Sequence, residues 1–178
     1  MKRRDVLLMP VLLTGGAAMA DLPKVQSLDD ALRWLDHLER AASVRATGTW
    51  PLVAVLEHLA QSIEMSVRGF PAPRSALFQS TLGTAAFTVF KWRGRMSHGL
   101  AEPIPGAPAL ALQGDWRVSA QRLRQAIGGF QAASGPLKPH FAYGTLSRAD
   151  YALAHSMHIA NHQDEIAVVL AAGSEQRA

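Results

Sequence analysis

The sequence predicts an all-α fold, and three observations carry that expectation. Apolar residues recur at helical spacing in segment after segment, no stretch sustains the alternation of a half-buried strand, and capping residues stand where the apolar stripes begin. The chain has 178 residues, a length that favours one domain, with no internal repeat and no linker to divide it. At this size roughly two-thirds of the unfolded surface can be buried, so one ordinary hydrophobic core suffices.

Taken in order, Ser27 followed by Asp30 is a capping-box-like start for a first helix. Leu28, Ala31, Leu32, Leu35, Leu38 and Ala42 make one stripe, with Asp29, Arg33, Asp36 and Arg40 opposite. His37 falls among those charges and is expected in solvent. Thr49-Trp50-Pro51 opens a second helix, Pro being tolerated in a first turn. Leu52, Leu56, Leu59, Ile63 and Val67 line its inner face, Glu57, Gln61, Glu64 and Arg68 are expected outside, and His58 sits on the border beside Val55, Ser62 and Met65. Gly69-Phe70-Pro71 stops it. Residues 75–92 form a weaker helical segment, because Gly83 and the threonines interrupt its apolar residues. Residues 93–114 hold four glycines and three prolines and read as a long loop of the kind that forms lids or binding loops. His98 lies in it without an assigned place.

Asp115 caps the next helix, in which Trp116, Ala120, Leu123, Ile127 and Phe130 repeat at the spacing of a bundle seam. Gly128-Gly129 is expected to fray or kink it, and Gly135-Pro136 ends it. Ser147 with Asp150 then starts the last helix, expected over about residues 147–171. The total is about four main helices, with the weaker segment and the long loop before the third.

Composition excludes whole classes of function. With no cysteine there is no disulfide, thiolate zinc site, iron–sulfur cluster, covalent c-type haem or cysteine nucleophile. The net charge of +4 is weakly informative, since Lys2, Arg3 and Arg4 supply much of it. Without residues 1–20, 15 basic residues face 13 acidic ones, a net charge of +2, with no basic cluster interleaved with aromatics as a nucleic-acid groove requires.

The N-terminus reads as an address. Lys2-Arg3-Arg4, the apolar run Val6 to Leu13, a break at Thr14-Gly15-Gly16 and the small residues Ala18-Met19-Ala20 are the three parts of a signal peptide, with cleavage expected before Asp21. The run is too short for a transmembrane helix, which needs about 20 apolar residues. Arg3-Arg4-Asp5-Val6-Leu7 is also similar to the twin-arginine pattern, and the balance between that route and the general one tips slightly to the former. The expected domains are a leader over 1–20 and one helical domain over 21–178, exported to the periplasm or secreted.

The chemistry concentrates on the last helix. At 100° per residue, Tyr151, His155, His158, Ile159, His162, Ile166 and Val169 share one face, and the three histidines span about 60° of it. Buried imidazole nitrogens need partners, and a cation satisfies several at once. His158 and His162, four residues apart, point the same way and can reach one ion. No Glu follows His158, so the metalloprotease pattern H-E-x-x-H does not apply. His58, on another amphipathic helix, is a candidate third ligand across the bundle. Three histidines leave a coordination position open, as in catalytic sites.

Leu56-Glu57-His58-Leu59-Ala60 on an early helix, with His158-x-x-x-His162 on the final one, resembles the DinB/YfiT-like superfamily. His140-Phe141-Ala142-Tyr143-Gly144-Thr145-Leu146-Ser147, Trp50 and the Gly-Phe-Pro after the second helix are similar to one uncharacterised branch of it. The similarity covers roughly residues 27–171. The resemblance implies a four-helix bundle with His58, His158 and His162 as ligands of a divalent metal, zinc or nickel foremost, though copper and iron also accept imidazole. It also implies Lewis-acid chemistry on a thiol or on water. Export and the absence of cysteine favour a hydrolase, with a transferase as the other course. His155 is the candidate catalytic proton-transfer residue, with a cavity-lining role, a hydrogen bond to a ligand residue, or a plain core histidine as alternatives. Glu165 and Asn161 are placed to orient ligand imidazoles, and His140 to meet the mouth of the site or tie down its turn. The competing readings are a non-catalytic exported bundle that binds a metal or small ligand, and a bundle whose histidines bind nothing and which serves a partner contact. Expected partners are a small molecule, no nucleic acid, no stable membrane anchor in the mature form, and a second copy of the chain.

Overall fold

The computed structural model describes residues 21–170, so the expected leader lies outside the described residues. The chain is mostly helical. In order come α1 (Leu28–Arg40), β1 (Ser43–Ala46), α2 (Leu52–Arg68), the short α3 (Ala76–Phe78), which runs through a π-helical stretch (Gln79–Gly83) into α4 (Thr84–Arg93), then α5 (Trp116–Ala132), α6 (Arg148–His162), a 3₁₀ turn (Gln163–Glu165) and β2 (Ile166–Val169).

The helix starts follow from local chemistry. Ser27 Oγ accepts from Asp30 N at 3.1 Å and donates to Asp30 Oδ2 at 2.8 Å, which satisfies donors that the first turn of α1 leaves free. Ser147 and Asp150 repeat the arrangement at α6, at 3.0 and 2.8 Å. Asp115 caps α5 by accepting from Arg117 N at 3.0 Å. α2 begins after Pro51 without a side-chain cap and ends at Gly69, whose φ of 114° a side chain would resist. The helix α5 continues through Gly128 and Gly129 to Ala132. The expected fray is therefore absent there, because packing of Ala126, Ile127 and Phe130 outweighs the low propensity of two glycines.

Four helices share one core. α2 packs against α5 and α6, and α1 packs against the same two. Leu35, Leu38, Leu56, Leu59, Ile63, Leu123, Ile127, Tyr151 and Ile159 are fully or almost fully buried in it. Arginines of α5 tie the layers at the rim: Arg122 makes two 3.0 Å bonds to Glu64 of α2, and Arg124 reaches Asp36 of α1 at 2.7 Å. His37 is exposed, as its position among the charges of α1 requires.

Two expectations are corrected. The last helix stops at His162, and residues 166–169 form a strand instead, antiparallel to β1, with Ser43 opposite Val169 and Ala46 opposite Ile166. Ile166 and Val169 fit the apolar face of a continuing helix, but three of the four strand residues are β-branched and pair with another extended segment. Gln61, expected outside, is 3% exposed and donates to Pro108 O at 3.1 Å. Ala111 N likewise donates to Glu57 at 2.9 Å, so the loop after α4 covers a face of α2 that a helical projection assigns to water. Among the described residues, no helix is long and apolar enough to cross a membrane.

Gly83 shows why residues 75–92 tolerate a poor helix former. A Cβ there would lie 2.0 Å from Ala142 O, so glycine alone lets this helix meet the turn before α6.

Candidate metal centre

The core packing of α2 against α6 brings His58 to the two histidines at the end of α6. The ring centroids of His58, His158 and His162 are 4.9, 5.2 and 5.0 Å apart, a nearly equilateral triangle. One nitrogen from each lies within 4.8 Å of the others. His58 and His162 are 3% and 0% exposed, and His158 is 9% exposed.

Hydrogen bonding sets which nitrogen each ring presents. His162 Nδ1 donates to Glu165 Oε1 at 2.6 Å, leaving Nε2 as the lone-pair nitrogen, and that atom is buried with no protein partner. His58 Nε2 and His158 Nε2 face each other at 3.1 Å. Two nitrogens held about 2.05 Å from one ion and about 100° apart lie about 3.1 Å from each other. Burial favours the neutral, ligating form of all three. It holds His58 at about 4 and His162 at about 3, with the other imidazoles repelling a further proton. His158 is pushed well below its ordinary value by the same causes. An orphaned Nε2, a pair of converging nitrogens and three neutral rings fit a divalent cation. The carboxylate behind His162 is the outer partner a ligand imidazole usually has, while His58 Nδ1 is buried without one. Burial raises the Glu165 carboxyl. Asn161, also placed to orient a ring, keeps its amide nitrogen buried and unpaired.

The other histidines take separate positions. His155 stands outside the triangle: its Nε2 meets Ser66 Oγ at 3.2 Å, and its ring stacks on Tyr151 and meets the edge of Phe130. Ser66 donates its own proton to Ile63 O at 2.6 Å, so Nε2 of His155 is the donor and Nδ1 is the acceptor. His140 ties down its turn. It exchanges backbone hydrogen bonds with Gly144, its Nδ1 accepts from Ala142 N and Tyr143 N at 3.1 and 3.2 Å, and its ring stacks on Tyr143 at 4.2 Å. Burial pulls His155 and His140 down to about 3 and pushes the Tyr143 hydroxyl up to about 12.

A cavity of about 180 Å³ reaches this cluster, lined by His58, His155 and His158 and by Met96, Ile104, Tyr143, Arg74 and Glu102 among others. It lies below the usual size of drug- or cofactor-sized pockets, about 300–1,000 Å³. His140 is on its wall as well, so the turn it ties down also borders the site. Sequence reasoning had no place for His98 and did not single out Ser66. The His98 ring lies 4.8 Å from His158 and 5.6 Å from His162. The one signal available was a lone ligating side chain within a glycine- and proline-rich loop.

The buried histidines give a pH dependence with a definite sign. In metal-free protein, His140 and His155 have folded values of about 3 against about 6.5 unfolded. The unfolded chain binds protons first on acidification, so this stabilisation is present above about pH 6.5 and is lost as pH falls toward 3. Because the slope reaches about 1.4 kcal/mol per unit per group only below the unfolded value, the pair loses about 3 kcal/mol between pH 6.5 and 5. Urea unfolding of metal-free protein is expected to show a lower midpoint at pH 5 than at pH 7. An unchanged midpoint would mean that both rings titrate normally in the fold.

Fold and site together define a mostly helical protein with a buried three-histidine cluster, two of whose rings line a small cavity. The chain belongs to the DUF1569 family, described as proteins of unknown function, which it matches over residues 19–168. No curated protein and no solved structure matches it.

Proposed function

We propose that the protein is a DinB-like four-helix bundle, exported by way of residues 1–20, that holds a divalent cation, zinc or nickel, on His58, His158 and His162. It acts as a hydrolase or transferase on a small molecule admitted through the cavity. The observation that carries this reading is the convergence of three buried, neutral imidazoles with the His162 Nε2 lone pair unsatisfied. A bound cation would supply Lewis-acid polarisation at the open coordination position. The chain's own groups supply the rest. Glu165 holds the His162 ring and its tautomer. His155, neutral and with Nδ1 free to accept, takes a hydrogen bond or proton from a group in the cavity. Tyr143 keeps its proton and donates, and Arg74 offers a charge to an anionic group at the wall. The apolar walls at Met96 and Ile104 limit access of water.

The second reading, a non-catalytic binding protein, has one observation in its favour: His155 is held between Ser66, Tyr151 and Phe130, an arrangement that also suits a core histidine. Elemental analysis of protein purified without a histidine tag tests the shared part, with one zinc or nickel per chain expected. No metal after reconstitution with either ion would sink both metal readings. Turnover of simple esters or amides by loaded protein, lost in His155→Ala with metal retained, selects the enzyme. Full metal with no turnover, across ester, amide and thiol-acceptor substrates, selects the binding protein.

A further inference from the structure

The loop between α4 and α5 brings a fourth imidazole to the cluster. The His98 ring is 4.8 Å from that of His158 and 5.6 Å from that of His162, beside but outside the group of His58, His158 and His162 whose ligand atoms all lie within 4.8 Å of one another. Its Nδ1 donates to Gly99 O at 2.9 Å, which leaves Nε2 with the lone pair. A backbone carbonyl on the far nitrogen is what fixes a ligating histidine, and His162 has the equivalent partner in Glu165. The loop is anchored on both sides of His98, by Met96 at 8% exposure and Ile104 at 5%, while Ser97 and Gly99 between them are exposed. The chain there is neither helix nor strand. His98, half-buried, also lines the cavity beside His58 and His158.

We propose that His98 is a fourth nitrogen ligand, carried by this loop, that occupies the open coordination position and yields it to an anionic ligand entering through the cavity. The proposal rests on the metal reading above. It differs in making the resting site four-nitrogen, closed and displaceable, so that ligand entry and loop position are coupled.

Cobalt(II) is the probe, because its visible bands report coordination number and its binding can be titrated against a chelator. Full-length wild type, His98→Ala, His98→Gln and His98→Asp are compared, with azide as the entering anion. Four-nitrogen wild type is expected to show an intense four-coordinate band. His98→Ala and His98→Gln should lose intensity and bind cobalt at least about tenfold more weakly, the lower end of what losing even an outer partner costs. They should also take azide at roughly tenfold lower concentration, since no side chain must be displaced. His98→Asp, which keeps a ligating group, should recover cobalt affinity with a shifted band. Wild-type spectrum, cobalt affinity and azide response in both His98→Ala and His98→Gln would overturn the proposal while leaving the three-histidine site standing. Wild type that takes up no cobalt would overturn the metal reading and this inference with it. Two variants with different side chains keep the result readable if one of them fails to fold.

Discussion

Replacing His158 with alanine is expected to abolish stoichiometric metal binding, and His58→Ala to do the same, while His37→Ala binds as wild type. His58 and His158 present facing nitrogens 3.1 Å apart, so each variant removes one of three ligands from one point in space. His37 is exposed on α1 and serves as the control for histidine content alone. The effect should also be visible in stability, because an ion that binds only the folded chain stabilises it by about 2.7 kcal/mol at a hundredfold excess over its dissociation constant. Thermal melts with and without zinc or nickel should therefore separate in wild type and coincide in His158→Ala. Without metal, the same variant should be less sensitive to acid than wild type, because His158 lies well below its ordinary value through burial and four neighbouring imidazoles. A His158→Ala protein that retains one ion per chain would show that the triangle of rings is a packing arrangement.

What the sequence could reveal here follows from what periodicity measures. Helix starts at Ser27, Asp115 and Ser147 were legible because a cap is a local bond between residues two or three apart. His158 and His162 were legible because four residues is one helical turn, and His58 because it stood at the edge of an apolar stripe on a helix that had to pack somewhere. The strand pair was not legible. Ile166 and Val169 continue the helical face of α6, and only pairing with Ser43–Ala46, more than 100 residues away, decides for a strand. Gln61 failed for a related reason: projection on one helix cannot know that a loop from elsewhere will lie over the opposite face. His98 sits in that same loop, where no period exists to give a direction, so its place beside His158 belongs to tertiary structure alone.

The unanticipated strand pair also leads to the second large effect. Thr47 N, just beyond β1, donates to Glu165 O at 2.7 Å, just before β2, and this fixes the backbone from which Glu165 reaches His162. Glu165→Ala should weaken zinc or nickel binding about 10–100-fold by releasing the ring, with loading at saturating metal preserved. It should also cost about 1–3 kcal/mol of stability in the metal-free protein, because the fully buried His162 Nδ1 loses its acceptor. Glu165→Gln keeps an oxygen acceptor and should fall between wild type and alanine. The sharper test touches neither residue. A Cβ on Gly48 would lie 2.0 Å from Glu165 Oε2, so Gly48→Ala must push the carboxylate aside and weaken metal binding in the same direction. Chelator competition measures both variants. Wild-type affinity in Glu165→Ala and Gly48→Ala would mean that the carboxylate serves only to satisfy a buried imidazole, and that the strand pair has no part in the site.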